Sequence, residues 1–325
     1  MLFRPDAPLI LLLALVLDAI IGDPDRIWRR VPHPVAWFGG LIGACDRLFN
    51  REGWTAETRR AAGILSLAAL LLVAFVPALL LETALRALPA GDILVALVAS
   101  VFLAQKSLYG HVRQVWEAFR DGGLGAARSV VSMIVGRDPE RLDEAGVARA
   151  AIESTAENFS DGVVAPAFWF ALLGLPGLVA YKAVNTADSM IGHLSQRHRD
   201  FGWAAARLDD VLNLLPARLA GCLIAGAALI VRRSPRQAIE VMLRDAGIHR
   251  SPNAGWPEAA MAGALGIALG GPRVYAAGPV TEPFLNAPGR RDAGPDDIKR
   301  ALRVMVAACV LHGLVYVLHA VVVLS

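Results

Sequence analysis

The sequence predicts an all-α, polytopic integral membrane protein with about four to six membrane-embedded helices, some short or re-entrant. Three observations carry this. The 325 residues are 55% hydrophobic and 19% charged, against about 45–50% apolar in ordinary soluble proteins. The excess is gathered into runs: Ala61–Leu81 and Val304–Ser325 contain no Asp, Glu, Lys or Arg. Each run is long enough to cross a ~30 Å hydrocarbon core as a helix. Strand-like alternation is almost absent.

Taken in order, the embedded segments are residues 7–21, 61–81, 88–105 and 304–325. The first follows a single Arg but ends in no small-x-small cleavage site and contains Asp18, so it reads as a retained helix, not a signal peptide. Loop 22–60 holds seven Arg and loop 82–90 only Glu82 and Arg86. Positive charge favours the cytoplasm, so the N-terminus is expected outside and Lys106 onward begins inside. Lys299, Arg300 and Arg303 start the last helix on the same side. Val163–Tyr181 contains Pro166, Gly174, Pro176 and Gly177, and Val211–Val231 contains Pro216 and Arg218. Breakers at that density suit re-entrant or broken helices, and the parity of the flanking loops requires both to span or neither; the favoured reading is that both are re-entrant or interfacial. Ala259–Gly271 is too short to cross.

The whole chain, 1–325, reads as one membrane-embedded catalytic domain, with a cytoplasmic helical region at 106–162 and a motif-bearing region at 163–271. In the former, Asp138-Pro139-Glu140 resembles a helix start. Cys45, Cys222 and Cys309 have no metal or redox spacing and read as small buried hydrophobes. The net charge of +3 reflects the Arg-rich loops, and no basic-aromatic interleaving argues for nucleic acid.

Polar clusters border the apolar runs. In A-A-I-E-S-T-A-E-N-F-S-D-G, Glu153, Glu157 and Asp161 stand four apart, one face of a helix, with Asn158 beside them. Hard oxygen donors of this kind suit Mg²⁺ with phosphate completing its shell; a solvated helix face is the plain alternative. In Y-K-A-V-N-T-A-D-S-M-I-G-H, Lys182, Asn185 and Asp188 share a face. In A-R-L-D-D-V-L-N-L-L-P-A-R, Asp209 and Asp210 lie a turn from Asn213, flanked by Arg207 and Arg218. Acids, amides and cations near membrane depth are costly and mark functional sites; their mixed sign suits a metal and phosphates held together. Ser251-Pro252-Asn253 reads as a turn before a helix, with anion binding and plain turn chemistry equally open. Asp18, Asp23 and His33 share the first loop's edge. His312 and His319 share a helix face and are expected to hydrogen-bond within the bundle. No phosphate-binding glycine loop, H-E-x-x-H or G-x-S-x-G is present.

The motifs E-S-T-A-E-N-F-S-D-G-V-V-A-P, Y-K-A-V-N-T-A-D-S-M-I-G, F-G-W-A-A-A-R-L-D-D-V-L-N-L-L-P-A-R-L and S-P-N-A-G-W-P-E-A-A-M-A-G, in this order, resemble the membrane-bound cobinamide (adenosylcobinamide-phosphate) synthases of cobalamin biosynthesis, CbiB or CobD. G-D-P…H-P-V and Gly136–Glu144 fit too; Pro139 and His193 depart from it, standing where Thr and Tyr are usual. The resemblance implies an ATP-dependent ligase. It would join the propionate of adenosylcobyric acid to (R)-1-amino-2-propanol or its O-phosphate through an amide bond. The expected roles are Mg²⁺ on Glu153, Glu157, Asp161 and Asp209, with Asp188 a further candidate. Phosphate and substrate would be held by Lys182, Arg207, Arg218, Asn185, Asn213, Asn158, Ser251 and Asn253, and Asp210 would be the general base, with Asp188 and Glu157 also catalytic. The expected location is the inner membrane, with the active site facing the cytoplasm. A transporter with buried carboxylates predicts inverted repeats, and none is visible. A CDP-alcohol phosphotransferase signature starts at Asp161-Gly162 but fails at Pro166 and Val179. A scaffold for other corrinoid-pathway enzymes remains compatible with catalysis.

Overall fold

A computed structural model describes residues 6–134, 142–275, 278–280 and 282–324. It is helical almost throughout, as the apolar runs require. Among the described residues, four helical runs are long and apolar enough to cross a membrane: Ala56–Arg86, Gly91–Val131, Glu144–Ile191 and Pro295–Val322. The first expected segment is shorter than a span. Helix α1 (Ala7–Ile20) has 14 residues, about 21 Å at 1.5 Å per residue. Val163–Tyr181, expected not to span, lies within a long run that does pass, although broken inside it, while Trp203–Leu212 and Leu214–Ile230, which hold most of Val211–Val231, pass only together as a pair bent by 47°.

The chain divides into two compact units. The first contains residues 1–104, 165–213 and 316–325. Its helices are α1, the single turn α2 (Asp25–Trp28), α3 (Pro34–Phe49), α4 (Ala56–Arg86), α5 (Gly91–Ser100), α8 (Ala165–Ile191) and α9 (Trp203–Leu212). His33 begins α3: its Nδ1 accepts the Val35 N–H at 3.2 Å, while Nε2 lies 3.6 Å from Asp23. Thr55 caps α4 by accepting the Thr58 N–H. Helix α4 turns large apolar side chains outward, with Leu65 71% and Leu72 64% exposed. A continuous exposed apolar face of this kind is a lipid-facing surface.

The second unit holds residues 105–164 and 214–315. It contains α6 (Gln105–Val131), α7 (Glu144–Phe159), a π-helical turn at Ser160–Val164, α10 (Leu214–Ile230), α11 (Pro235–Asp245), α12 (Gly255–Leu265) and the start of α13 (Pro295–Leu324). Two small antiparallel ladders interrupt the helices. One pairs β1 (Leu269–Gly270) with β4 (Phe284–Leu285), the other β2 (Arg273–Tyr275) with β3 (Gly278–Val280). Helix α7 begins at an Asp143 cap whose carboxylate accepts the Gly146 N–H. The earlier helix start expected at Asp138-Pro139-Glu140, and with it Pro139, lies outside the described residues. The cysteines are free thiols but not the buried hydrophobes expected, Cys222 being exposed and Cys45 and Cys309 half-buried; His312 is fully buried.

The break expected in Val163–Tyr181 falls at Gly174, whose φ of 71° and ψ of −157° leave the helical region; Pro176 follows, unable to donate to the helix. Breaking a helix exposes backbone N–H groups, which apolar surroundings cannot satisfy. Glu82 supplies the acceptor: its Oε2 takes the Leu175 N–H at 3.1 Å. Glu82 is 2% exposed, and Arg86 Nε donates to its other oxygen at 3.0 Å. Arg86 also contacts Asp6 and Asp92. One buried carboxylate therefore caps the second half of α8 and anchors the end of α4. Glu82→Ala should lower the unfolding free energy by about 3 kcal/mol, because it breaks a buried pair and orphans an N–H. Asp92→Asn, at a half-exposed position, should change it by less than about 0.5 kcal/mol. Thermal unfolding in detergent micelles checks both; equal effects would contradict the capping role.

Candidate functional site

In the first unit, the expected residues of α8 and α9 do meet. Residues Tyr181, Lys182, Asn185 and Asp188 occupy the last three turns of α8, where spacings of three and four bring side chains together. Asp209 and Asn213 are similarly one turn apart at the end of α9. Asp209 is buried, and two amides hold it: Asn213 Nδ2 donates to its Oδ2 at 2.9 Å and Asn185 Nδ2 to its Oδ1 at 3.4 Å. The Asn185 oxygen in turn accepts from Lys182 Nζ at 3.4 Å. The Asn213 oxygen accepts the Tyr181 hydroxyl at 3.0 Å. Trp169 Nε1 donates to the Leu212 carbonyl at 3.1 Å, fixing the end of α9 against α8.

Helix α9 carries three charged residues in ten and lies outside the four spans. Burial pushes the Asp209 pKa up from the ordinary carboxylate value, and the neighbouring Asp188 charge adds to it; the two amides oppose the shift. Asp210 is more open. Burial raises its pKa and Arg207, 3.6 Å away, acts against the rise. The two adjacent aspartates thus face different surroundings, one among amides and a second carboxylate, the other beside an exposed guanidinium.

In the second unit the carboxylate ladder is uneven. Glu153 is 3% exposed, and its Oε1 accepts the Gly270 N–H at 2.7 Å, anchoring β1 to α7. Glu157 and Asn158 are exposed and Asp161 is half-buried. Asn158 Nδ2 donates back to Ser154, to its carbonyl at 2.9 Å and its hydroxyl at 3.0 Å. Asp161 lies in the π-helical turn, so the spacing of four no longer keeps it in line with the α-helical pair. Arg218 stacks on Trp256, 4.4 Å from the ring centre, and donates to the Leu214 carbonyl at 2.6 Å. Ser251 and Asn253 show turn chemistry: the Ser251 hydroxyl accepts the N–H groups of Asn253 and Ala254, both at 3.2 Å. Among the described residues, no three His, Cys, Asp or Glu side chains form a metal-binding group. Mg²⁺ does not need one, since it commonly keeps water and binds one or two carboxylates plus substrate phosphates.

Four contributors were missed by sequence reasoning. Tyr181 is buried and belongs to the Asp209 network; its signal was the spacing of four to Asn185. Gly192 leaves room for Asp188: a Cβ there would lie 1.9 Å from Asp188 Oδ1. Half-buried His249 and buried Glu258 lie 3.8 Å apart, the first just before the S-P-N-A-G-W-P-E stretch and the second at its end. Tyr181→Phe removes a buried donor and should cost about 1–3 kcal/mol. Gly192→Ala should cost a similar amount, about 1–3 kcal/mol, through overpacking against Asp188. Thermal unfolding in detergent reads both; an unchanged midpoint in Gly192→Ala would contradict the close approach of Asp188.

These clusters fall within a region of extensive similarity to known proteins. Residues 11–305 match the family described as CobD/Cbib protein. A cobalamin biosynthesis protein CobD from Sinorhizobium sp is 55% identical over 304 residues, covering 93% of this chain and 94% of its own length. Proteins of the same description from Brucella suis biovar 1 and Rhodobacter capsulatus are 53% and 47% identical, over 90% and 96% of this chain and 91% and 98% of their own lengths. No solved structure gives a significant match. With a family match over most of its length, and relatives this similar from end to end, the chain belongs to the CobD/Cbib family of cobalamin biosynthesis.

Proposed function

We propose that this membrane protein is an ATP-dependent amide ligase acting on adenosylcobyric acid and (R)-1-amino-2-propanol or its O-phosphate. The observation that carries the reading is the Asp209 network, a buried carboxylate with a second carboxylate, two amides and a lysine arranged about it, in a chain of this family. That set offers hard oxygens to a cation and a positive group to a phosphate.

A carboxylate is a poor acyl donor. In the proposed reaction its oxygen attacks the γ-phosphorus of ATP and ADP leaves, giving an acyl phosphate. The neutral amine then attacks the acyl carbon, phosphate leaves and the amide remains. Phosphoryl transfer depends chiefly on positioning and charge neutralisation. Lys182 and Arg207 are the proposed phosphate-binding cations of the first unit and Arg218 that of the second. Asp188 and Asp209 suit Mg²⁺ in the first unit, Glu157 and Asp161 in the second; when bound, the ion would neutralise phosphate charge. Asp210, half-buried and beside Arg207, is the proposed base that takes the proton from the ammonium before attack. Asn185, Asn213 and Asn158 are proposed to orient substrate oxygens. The arginine distribution supports an inner-membrane location with these groups facing the cytoplasm.

Purified protein incubated with adenosylcobyric acid, ATP, Mg²⁺ and each amine should form the amide, with ADP released in equal amount. No amide with either amine overturns the reading. Glu157→Gln should raise the Mg²⁺ concentration needed for half-maximal rate; near-normal activity at low Mg²⁺ would remove Glu157 from the metal role.

A further inference from the structure

Asp188 and Asp209 sit on different helices, which are held together by the bonds from Trp169, Tyr181 and Asn185 and joined by the connection of residues 192–202. Its middle is gripped from α3 and from the start of α4. Arg197 Nη2 and Nε donate to Asp46 Oδ2 at 2.8 and 3.1 Å. The Arg197 carbonyl accepts Asn50 Nδ2 at 2.9 Å and also the Arg59 guanidinium. The gripping residues are themselves joined: Asn50 Nδ2 donates to Asp46 Oδ1 and Arg59 Nε to Asn50 Oδ1, both at 2.7 Å. Asn50 is 3% exposed.

Both ends of the connection are also fixed. Gly192 N–H donates to the Asp188 carbonyl, and Gly202 N–H to the His198 carbonyl, each at 2.7 Å. Phe201 is 1% exposed. Arg60 lies 3.6 Å from Asp200 and over the Trp203 ring at the first turn of α9. A lone exposed Asp–Arg pair is worth little. Here one carboxylate, one buried amide and two guanidiniums satisfy each other around a single backbone carbonyl, and such networks hold geometry better than isolated pairs. Burial works against ionisation of Asp46, but hydrogen bonds from Asn50 and Arg197 and the Arg197 and His198 charges hold its pKa below the usual value on balance; it is an anion in the clamp.

We propose that Asp46, Asn50 and Arg197 form a positioning clamp that sets the separation of Asp188 from Asp209. The catalytic part of this proposal rests on the ligase reading; the geometric part does not. None of the three clamp residues touches the acidic pair; their effect passes through the connection and adds to the direct α8–α9 bonds of Trp169, Tyr181 and Asn185.

The test has two arms. In a variant lacking the three native cysteines, spin labels at Ser189→Cys and Val211→Cys report the distance between the ends of α8 and α9. Asp46→Asn and Arg197→Gln should each broaden that distribution; sharp, unshifted distributions in both overturn the clamp, whatever reaction the protein performs. In the amide-forming assay both variants should lower kcat about ten- to hundredfold, the penalty of misplacing reacting groups, with KM for ATP within about twofold. The double variant should be no worse than either single one, because both remove the same device. A broadened distribution with unchanged kcat overturns the positioning role. Absence of amide from the wild type overturns the ligase reading and leaves the distance arm to decide the clamp. Should Arg197→Gln fail to fold, Arg197→Lys keeps the charge but loses the two-pronged contact, and is expected to fall between wild type and Asp46→Asn in both arms.

Discussion

A carboxylate removed from water must be given donors or it loses its charge. That constraint organises the first unit. Asp209 is buried at the end of a ten-residue helix, and the donors it receives come from α8 on one side and from the residue ending its own helix on the other. Asn185 and Asn213 each use the NH₂ group for Asp209, which leaves each with an oxygen to satisfy. Lys182 and Tyr181 satisfy them. The order Y-K-x-x-N on α8 and D-x-x-x-N at the end of α9 follows from this chain of obligations. An Asn→Asp change at 185 or 213 would reverse the requirement and place like charges together.

The same rule operates far from this cluster. A helix that breaks at Gly174 has an N–H to satisfy, and Glu82 meets it from α4. Both arrangements keep an acidic group out of water, but for different purposes. Glu82 is bonded to a backbone N–H and to Arg86, so its charge is closed off. Asp209 has amides, which donate without neutralising, and Asp188 close by.

The sequence made the fold class legible because lipid imposes a composition over twenty residues at a time, as in Ala61–Leu81. It also marked the α8 and α9 clusters, because polar residues at helical spacing beside apolar runs have few bland explanations. It was less informative where geometry departs from the regular helix. Glu153, Glu157 and Asp161 are evenly spaced in the chain, yet the π turn at Ser160–Val164 ends the register and Glu153 bonds to Gly270, more than a hundred residues later. Nothing local to Glu153 announces that partner. Helix α1 keeps nearly its expected bounds, and at 14 residues its apolar composition comes without the length of a span. Tyr181 was hidden for the opposite reason: beside an apolar run, a tyrosine looks like core until its hydroxyl has a named acceptor.

The position of Arg197 shows how a loop can be both polar and rigid. A stretch such as H-L-S-Q-R-H-R-D has the composition of a mobile, solvated connection. Rigidity comes instead from where its groups find partners. The Arg197 carbonyl has no helix to accept from, and Asn50 and Arg59 fill that need; the Arg197 guanidinium finds Asp46. A helix pair joined by such a connection has fewer accessible separations than one joined by a free loop. The entropy lost in ordering it is offset by bonds that all converge on one residue. For chemistry that requires two carboxylates at a fixed separation, this places the determinant of geometry outside the residues that would touch substrate. Substitutions at Asp46 are therefore informative where substitutions at Asp188 are not, because a change at Asp188 removes the group itself and cannot distinguish its presence from its placement.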